Sequence, residues 1–108
     1  MSIASHSSSS HLELVVLDVP PECLVAVAGE LDLATAPELD ETLRTLDSSG
    51  DLVTLDLRAL SFMDVGGLCA VLDARRYVRQ TGRRMQILGP LQEAARVLEL
   101  TGTRDLVS

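Results

Sequence analysis

Short apolar runs, broken by turn residues, set the rhythm of this chain from residue 12 onward. The runs at 12–17 and 23–29 flank Asp18-Val19-Pro20-Pro21-Glu22, and two such runs across a proline-containing turn predict an antiparallel hairpin. Thr35-Ala36-Pro37-Glu38 follows with the spacing of a capping box, in which Thr35 caps a helix and Glu38 reaches back. Leu39, Leu43 and Leu46 recur at helical spacing until Ser48-Ser49-Gly50 interrupts them, so a helix is expected over 36–47.

Val53, Leu55 and Leu57 alternate with Thr54 and Asp56, which predicts a strand over 52–57. A short loop then leads to a second helix with Leu68, Val71, Leu72 and Val78 on its inner face, ending before Gly82. Residues 85–88 form another strand candidate. Gly89-Pro90 introduces a third helix with Leu91, Ala94, Ala95 and Leu98 on one side, and Leu106-Val107 is a last short apolar run.

Strands alternating with helices after an opening hairpin predict an α/β (α+β) fold, a mixed β-sheet with helices packed mainly on one face. Residues 1–11 are rich in serine and carry no apolar period, so they are expected to be a flexible leader before a single domain over 12–108. At 108 residues the chain suits one core. Because aromatic residues make up only 2% of it, that core must be built from aliphatic side chains.

The formal charge of −7 opposes general binding to a phosphate backbone, so no direct nucleic-acid contact is expected. Every basic residue is Arg. Arg75, Arg76, Arg79, Arg83 and Arg84 fall toward the end of the second helix, where positive charge complements the helix dipole, and a solvated helix end accounts for them. Cys23 and Cys69 lie far apart without CxxC spacing, inside apolar runs, and read as core residues more readily than as a zinc or redox pair. His6 and His11 belong to the polar start.

No apolar run approaches a membrane span and the first ten residues lack a signal-peptide pattern, so a cytoplasmic location is expected. There is no metal-ligand spacing, no nucleophile–base set outside the polar start and no GxxxxGK[ST] loop. No catalytic residue, metal or cofactor is expected, and enzymatic activity is not indicated.

The candidate chemistry lies in Leu55-Asp56-Leu57-Arg58-Ala59-Leu60-Ser61-Phe62-Met63-Asp64-Val65-Gly66-Gly67-Leu68, which places a carboxylate and two glycines at a helix start. Free backbone N–H groups there favour oxygen-rich partners, and glycines allow another surface close to the backbone. This is a contact site. Asp64 suits helix capping, partner contact or both. Val65, β-branched at a tight junction, is expected to pack inward. Gly66 and Gly67 serve backbone geometry or close approach, and Asp32 suits a turn whose side chain bonds local backbone.

Gly29-Glu30-Leu31-Asp32, the capped helix after it, and Leu55-Asp56-Leu57 leading to Phe62-Met63-Asp64-Val65-Gly66-Gly67-Leu68 occur in an order, over about 12–107, that resembles a STAS domain. The likeness is to bacterial anti-sigma factor antagonists. In that family the loop before the second helix commonly reads Asp-Ser-Ser-Gly, and the second serine is phosphorylated by a partner that is both anti-sigma factor and kinase. Asp64 and Gly67 match, while Val65 and Gly66 stand at the serine positions. The resemblance therefore implies no phosphoacceptor at Gly66, an anti-sigma factor of the kinase type as partner, and a partner-binding surface at Asp32, Asp64, Val65, Gly66 and Gly67.

Three alternatives accompany that reading. A STAS subunit of a lipid-transport ABC-type ATPase assembly would use the same fold. Ser61 and Thr35 are substitute phosphate acceptors by chemistry, although neither stands at the matching position. Family members often continue past the final short strand into another helix, so an apolar edge left open here would favour self-association.

Overall fold

A computed structural model describes residues 2–8, 11–19, 21–46 and 51–89. Five strands form one sheet: β1 (Ser2–Ser8), β2 (Leu12–Val19), β3 (Glu22–Leu31), β4 (Leu52–Met63) and β5 (Arg84–Leu88). Two helices, α1 (Ala36–Thr45) and α2 (Val65–Gln80), connect the last three strands. The spatial strand order follows the chain, β1-β2-β3-β4-β5. β1, β2 and β3 pair antiparallel, whereas β3–β4 and β4–β5 are parallel, as expected where a helix carries the chain back between strands.

Alternation along the strands explains the layering. Leu12, Leu14 and Val16 of β2, Cys23, Val25 and Val27 of β3, and Val53, Leu55 and Leu57 of β4 are buried in one cluster with Leu39 and Leu43 of α1 and Val71, Ala74 and Val78 of α2. Both helices thus pack on one sheet face, as the pattern predicts. An aliphatic core of this kind gains about 1.5–3 kcal/mol for each fully buried side chain before entropy is counted.

Several boundaries differ from the sequence reading. Residues 2–8, expected to be a flexible leader, instead pair antiparallel along β2, from Ser2 opposite Asp18 to Ser8 opposite Glu13. Backbone pairing to a formed strand supplies order that a serine-rich composition does not advertise. The third helix and the last apolar run lie outside the described residues.

The largest difference is β4, which does not stop at Leu57 but runs on to Met63. It does so through two bulges against β3: Ala26 pairs with Asp56 but Ala28 with Ala59, and Gly29 pairs with Leu60 but Glu30 with Phe62. Each bulge inserts an extra β4 residue and breaks the period of two, so the alternation that marks the strand fades after Leu57. Polar side chains close both. Asp56 accepts the Arg58 N–H at 3.0 Å and the Arg58 guanidinium at 2.9 Å through each of its oxygens, and the Ser61 hydroxyl donates to the Gly29 carbonyl at 3.1 Å. Gly29 itself has φ 96°, a conformation that favours glycine.

The helices are joined on their outer side by Arg44, whose guanidinium sits 4.7 Å from the Tyr77 ring centre while its Nε bonds Asp40 at 3.0 Å. At the far end of α2, the Thr81 hydroxyl donates to the Val78 carbonyl at 2.6 Å and accepts from Arg83 Nε at 2.9 Å. Arg83 is only 8% exposed, so the solvated-end reading fails for it. Arg76, Arg79 and Arg84 are exposed.

Candidate functional site

The site is built where β3 and β4 both end and both helices begin. β3 leaves the sheet at Leu31, and Asp32 turns the chain toward α1. The Asp32 N–H donates to Thr35 Oγ1 at 2.9 Å, and the Thr35 N–H donates back to Asp32 Oδ1 at 2.9 Å. The Thr35 hydroxyl also donates to the Glu30 carbonyl at 3.0 Å. Ala36 N–H already bonds the Asp32 carbonyl at 2.8 Å, so the reciprocal box sits three residues earlier than predicted. Thr35 makes no side-chain cap bond to α1; it exchanges bonds with Asp32 and so closes the turn that leads into the helix. These donated hydrogen bonds, the Thr35 N–H foremost, hold the Asp32 carboxyl below its ordinary value of 3.8.

Asp64 starts α2 in the way its sequence position suggests. Its backbone is extended, with φ −107° and ψ −171°, and its side chain accepts the Gly67 N–H at 2.9 Å. This satisfies one of the free donors of the first turn and is worth about 0.5–2 kcal/mol. The Leu68 N–H bonds the Asp64 carbonyl at 3.0 Å.

The two glycines answer to different constraints. At Gly67 a Cβ would overlap the Leu31 carbonyl oxygen and lie 2.7 Å from Met63 Cγ, so the first turn of α2 is pressed directly onto the end of β3 and tolerates no side chain. At Gly66 a Cβ would meet Leu33 N, Cα and Cβ, each at 3.0 Å. Here the neighbour is the Asp32–Thr35 turn.

The predicted residues therefore converge. Asp32, Gly66 and Gly67 meet around the Leu31–Leu33 backbone, with Asp64 and Val65 beside them. Gly67 is buried, Gly66 and Asp32 are half-buried, and Asp64 is exposed. Val65 does not pack inward but is 75% exposed, because the first residue of α2 lies off the stripe formed by Val71, Ala74 and Val78. Leu33, which the sequence reading passed over, is 77% exposed. Its signal was available, since Leu33 stands alone between Asp32 and the helix and shares no apolar period with Leu39 and Leu43 of α1.

The remaining candidates separate from this cluster. Thr35 is buried and engaged, whereas the Ser61 side chain is exposed and spans a bulge. Cys23 is buried, and that burial, reinforced by Asp18, pushes its thiol pKa up. Cys69 is exposed, which corrects its assignment to the core, and both thiols are free.

Among the described residues no group of three His, Cys, Asp or Glu side chains could hold a metal, and no helix is long and apolar enough to cross a membrane. What the arrangement offers chemically is a rigid surface of carboxylates, glycine backbone and two aliphatic side chains.

Comparison with known proteins gives this surface its context. The family model described as STAS domain matches residues 13–108. The anti-sigma-B factor antagonist of Staphylococcus aureus (strain NCTC 8325 / PS 47) is 34% identical over 84 residues, covering 77% of this chain and 78% of that protein. An anti-sigma factor antagonist structure from Mycobacterium paratuberculosis superposes with a TM-score of 0.63 at 27% identity, over 92% of this chain and 85% of the other. An antisigma-factor antagonist STAS domain from Rhodobacter sphaeroides gives 0.64 at 19% identity, over 79% and 94%; at that identity the likeness concerns the fold.

Proposed function

We propose, from the premise that this chain belongs to the STAS domain family, that it is an anti-sigma factor antagonist: it binds an anti-sigma factor and so releases a sigma factor for transcription. The observation that carries the reading is the exposed start of α2, where Asp64 and Val65 face solvent beside the Asp32 turn in a chain 34% identical to a named antagonist. The work is done by occupancy, not by chemistry on a substrate, and the setting is the cytoplasm.

The partner is an anti-sigma factor of the kinase type, and Gly66 takes the place of the family's phosphorylated serine. Glycine has no hydroxyl. A phosphoserine would bring about −1.5 to −2 charges and three acceptor oxygens, set down between Asp32 and Asp64 and against the Leu33 backbone. Without that group the antagonist stays binding-competent in the presence of ATP. Asp32, Asp64, Val65, Gly66 and Gly67 form the contact surface.

The test is a displacement assay. A preformed complex of sigma factor and kinase-type anti-sigma factor receives this protein with ATP, while sigma-directed transcription and phosphate incorporation are followed. Transcription is expected to rise and to stay up, with no phosphate on residues 64–67. Failure to displace sigma factor would refute the antagonist reading, and phosphorylation elsewhere accompanied by loss of binding would refute constitutive competence.

A further inference from the structure

We infer that Leu33 and Val65 are paired apolar anchors that decide which anti-sigma factor this chain accepts, one whose docking surface offers an aliphatic pocket with basic side chains at its rim. The inference rests on the antagonist reading above and specifies the chemistry of the partner.

Leu33 and Val65 are the two most exposed large hydrophobic residues among those described, at 77% and 75%. They come from separate segments, the turn before α1 and the first position of α2. They are neighbours because the Leu33 main chain lies against Gly66, the residue next to Val65. Neither contributes to the buried cluster, which is complete without them.

Both are held out rigidly. The turn that carries Leu33 is locked by the two reciprocal Asp32–Thr35 bonds and by the Ala36 N–H on the Asp32 carbonyl. Val65 is β-branched, which restricts its side chain, and its main chain sits between the capping Asp64 and the Gly67 N–H that Asp64 holds. Groups already fixed in their bound positions lose little freedom on docking, so their apolar surface converts efficiently into affinity.

Charge defines the rest of the partner. Asp32 directly precedes Leu33 and Asp64 directly precedes Val65, so each aliphatic side chain has a carboxylate beside it, and both carboxylates are already committed to N–H groups of the chain. Acidic neighbours around an apolar pair complement an apolar pocket rimmed by Arg or Lys.

The experiment titrates the full chain calorimetrically against a panel of purified kinase-type anti-sigma factors. Leu33→Ala, Val65→Ala, Leu33→Asp and Val65→Asp are compared with Gln86→Ala, an exposed position on β5, and circular dichroism verifies that each variant is folded. For the panel member that binds, each alanine variant is expected to weaken Kd by about tenfold, each aspartate variant by a hundredfold or more, and Gln86→Ala by less than about twofold. If a member binds the parent chain and all four anchor variants stay within about threefold of it, the anchor assignment is wrong and the antagonist reading stands. If no member binds the parent chain, the antagonist reading falls and takes the anchors with it.

Discussion

The main chain of Leu33 lies against Gly66, near enough that a Cβ on residue 66 would meet Leu33 N, Cα and Cβ at 3.0 Å. The turn that brings it there is held at both ends, by the Asp32–Thr35 bonds and by the Thr35 hydroxyl on Glu30. The start of α1 and the start of α2 are therefore fitted to each other through a position with no side chain.

That fit makes the two glycines unequal. At residue 66 the helix-propensity gain of alanine, about 0.5–1 kcal/mol, is outweighed by overpacking at about 1–3 kcal/mol, because the pinned turn cannot retreat. Gly66→Ala and Gly66→Ser should each lower stability by about 1 kcal/mol. Gly67→Ala, which drives a methyl into the Leu31 carbonyl, should cost about 3 kcal/mol or more. Urea denaturation of the three variants checks the order; equal losses would contradict it.

Asp64 is a cap in its own right, whatever else it touches. Asp64→Ala should cost about 1 kcal/mol through loss of the bond to the Gly67 N–H, while Asp64→Asn, which keeps an acceptor, should cost less. Thermal unfolding of the purified variants, without any partner, measures this separately from binding.

The aspartates also fix the sign of the acid response. Asp32 and Asp56 both have folded-state pKa values below the ordinary 3.8, the first chiefly through the Thr35 N–H and the second chiefly through the Arg58 guanidinium. A depressed carboxyl stabilises the fold above its unfolded pKa, and this contribution is lost as pH falls through the folded one. Urea midpoints should thus hold their contribution from these two groups above about pH 5 and lose it progressively below 4. Asp32→Asn should flatten part of that acid limb, and an unchanged slope would remove Asp32 from the account.

The thiols should react on different clocks. Cys69 is exposed and free, whereas Cys23 is buried with a raised pKa, and the thiolate is the reactive form. Iodoacetamide at neutral pH, followed by mass spectrometry, should label Cys69 in the native protein and Cys23 only after denaturant is added.

Much of this architecture could be read from the chain, and the exceptions have local causes. β2, β3, α1, α2 and the first half of β4 were legible because Leu14, Val25, Leu39, Leu55 and Val71 keep the period of their elements. The second half of β4 was not, since two bulges shift the phase at Leu57–Arg58 and again at Ser61. β1 has no apolar pattern because its order comes from pairing with β2. Asp32 and Asp64 were identified from chemistry that works locally, through side chains bonding nearby N–H groups. That Leu33 and Val65 come side by side depends on two segments meeting across Gly66, a relation no window of sequence contains.

Neighbours in the sheet are also neighbours along the chain, so each strand pairs with the one made just before it. The antiparallel steps close over short turns and each parallel step over a single helix-bearing crossover, so no pairing has to skip a strand. The surface around Asp32 and Asp64 is drawn from the ends of β3 and β4 and the starts of α1 and α2, so the one strand pairing it rests on is β3–β4, and an opening of β5 from the sheet edge would leave it standing.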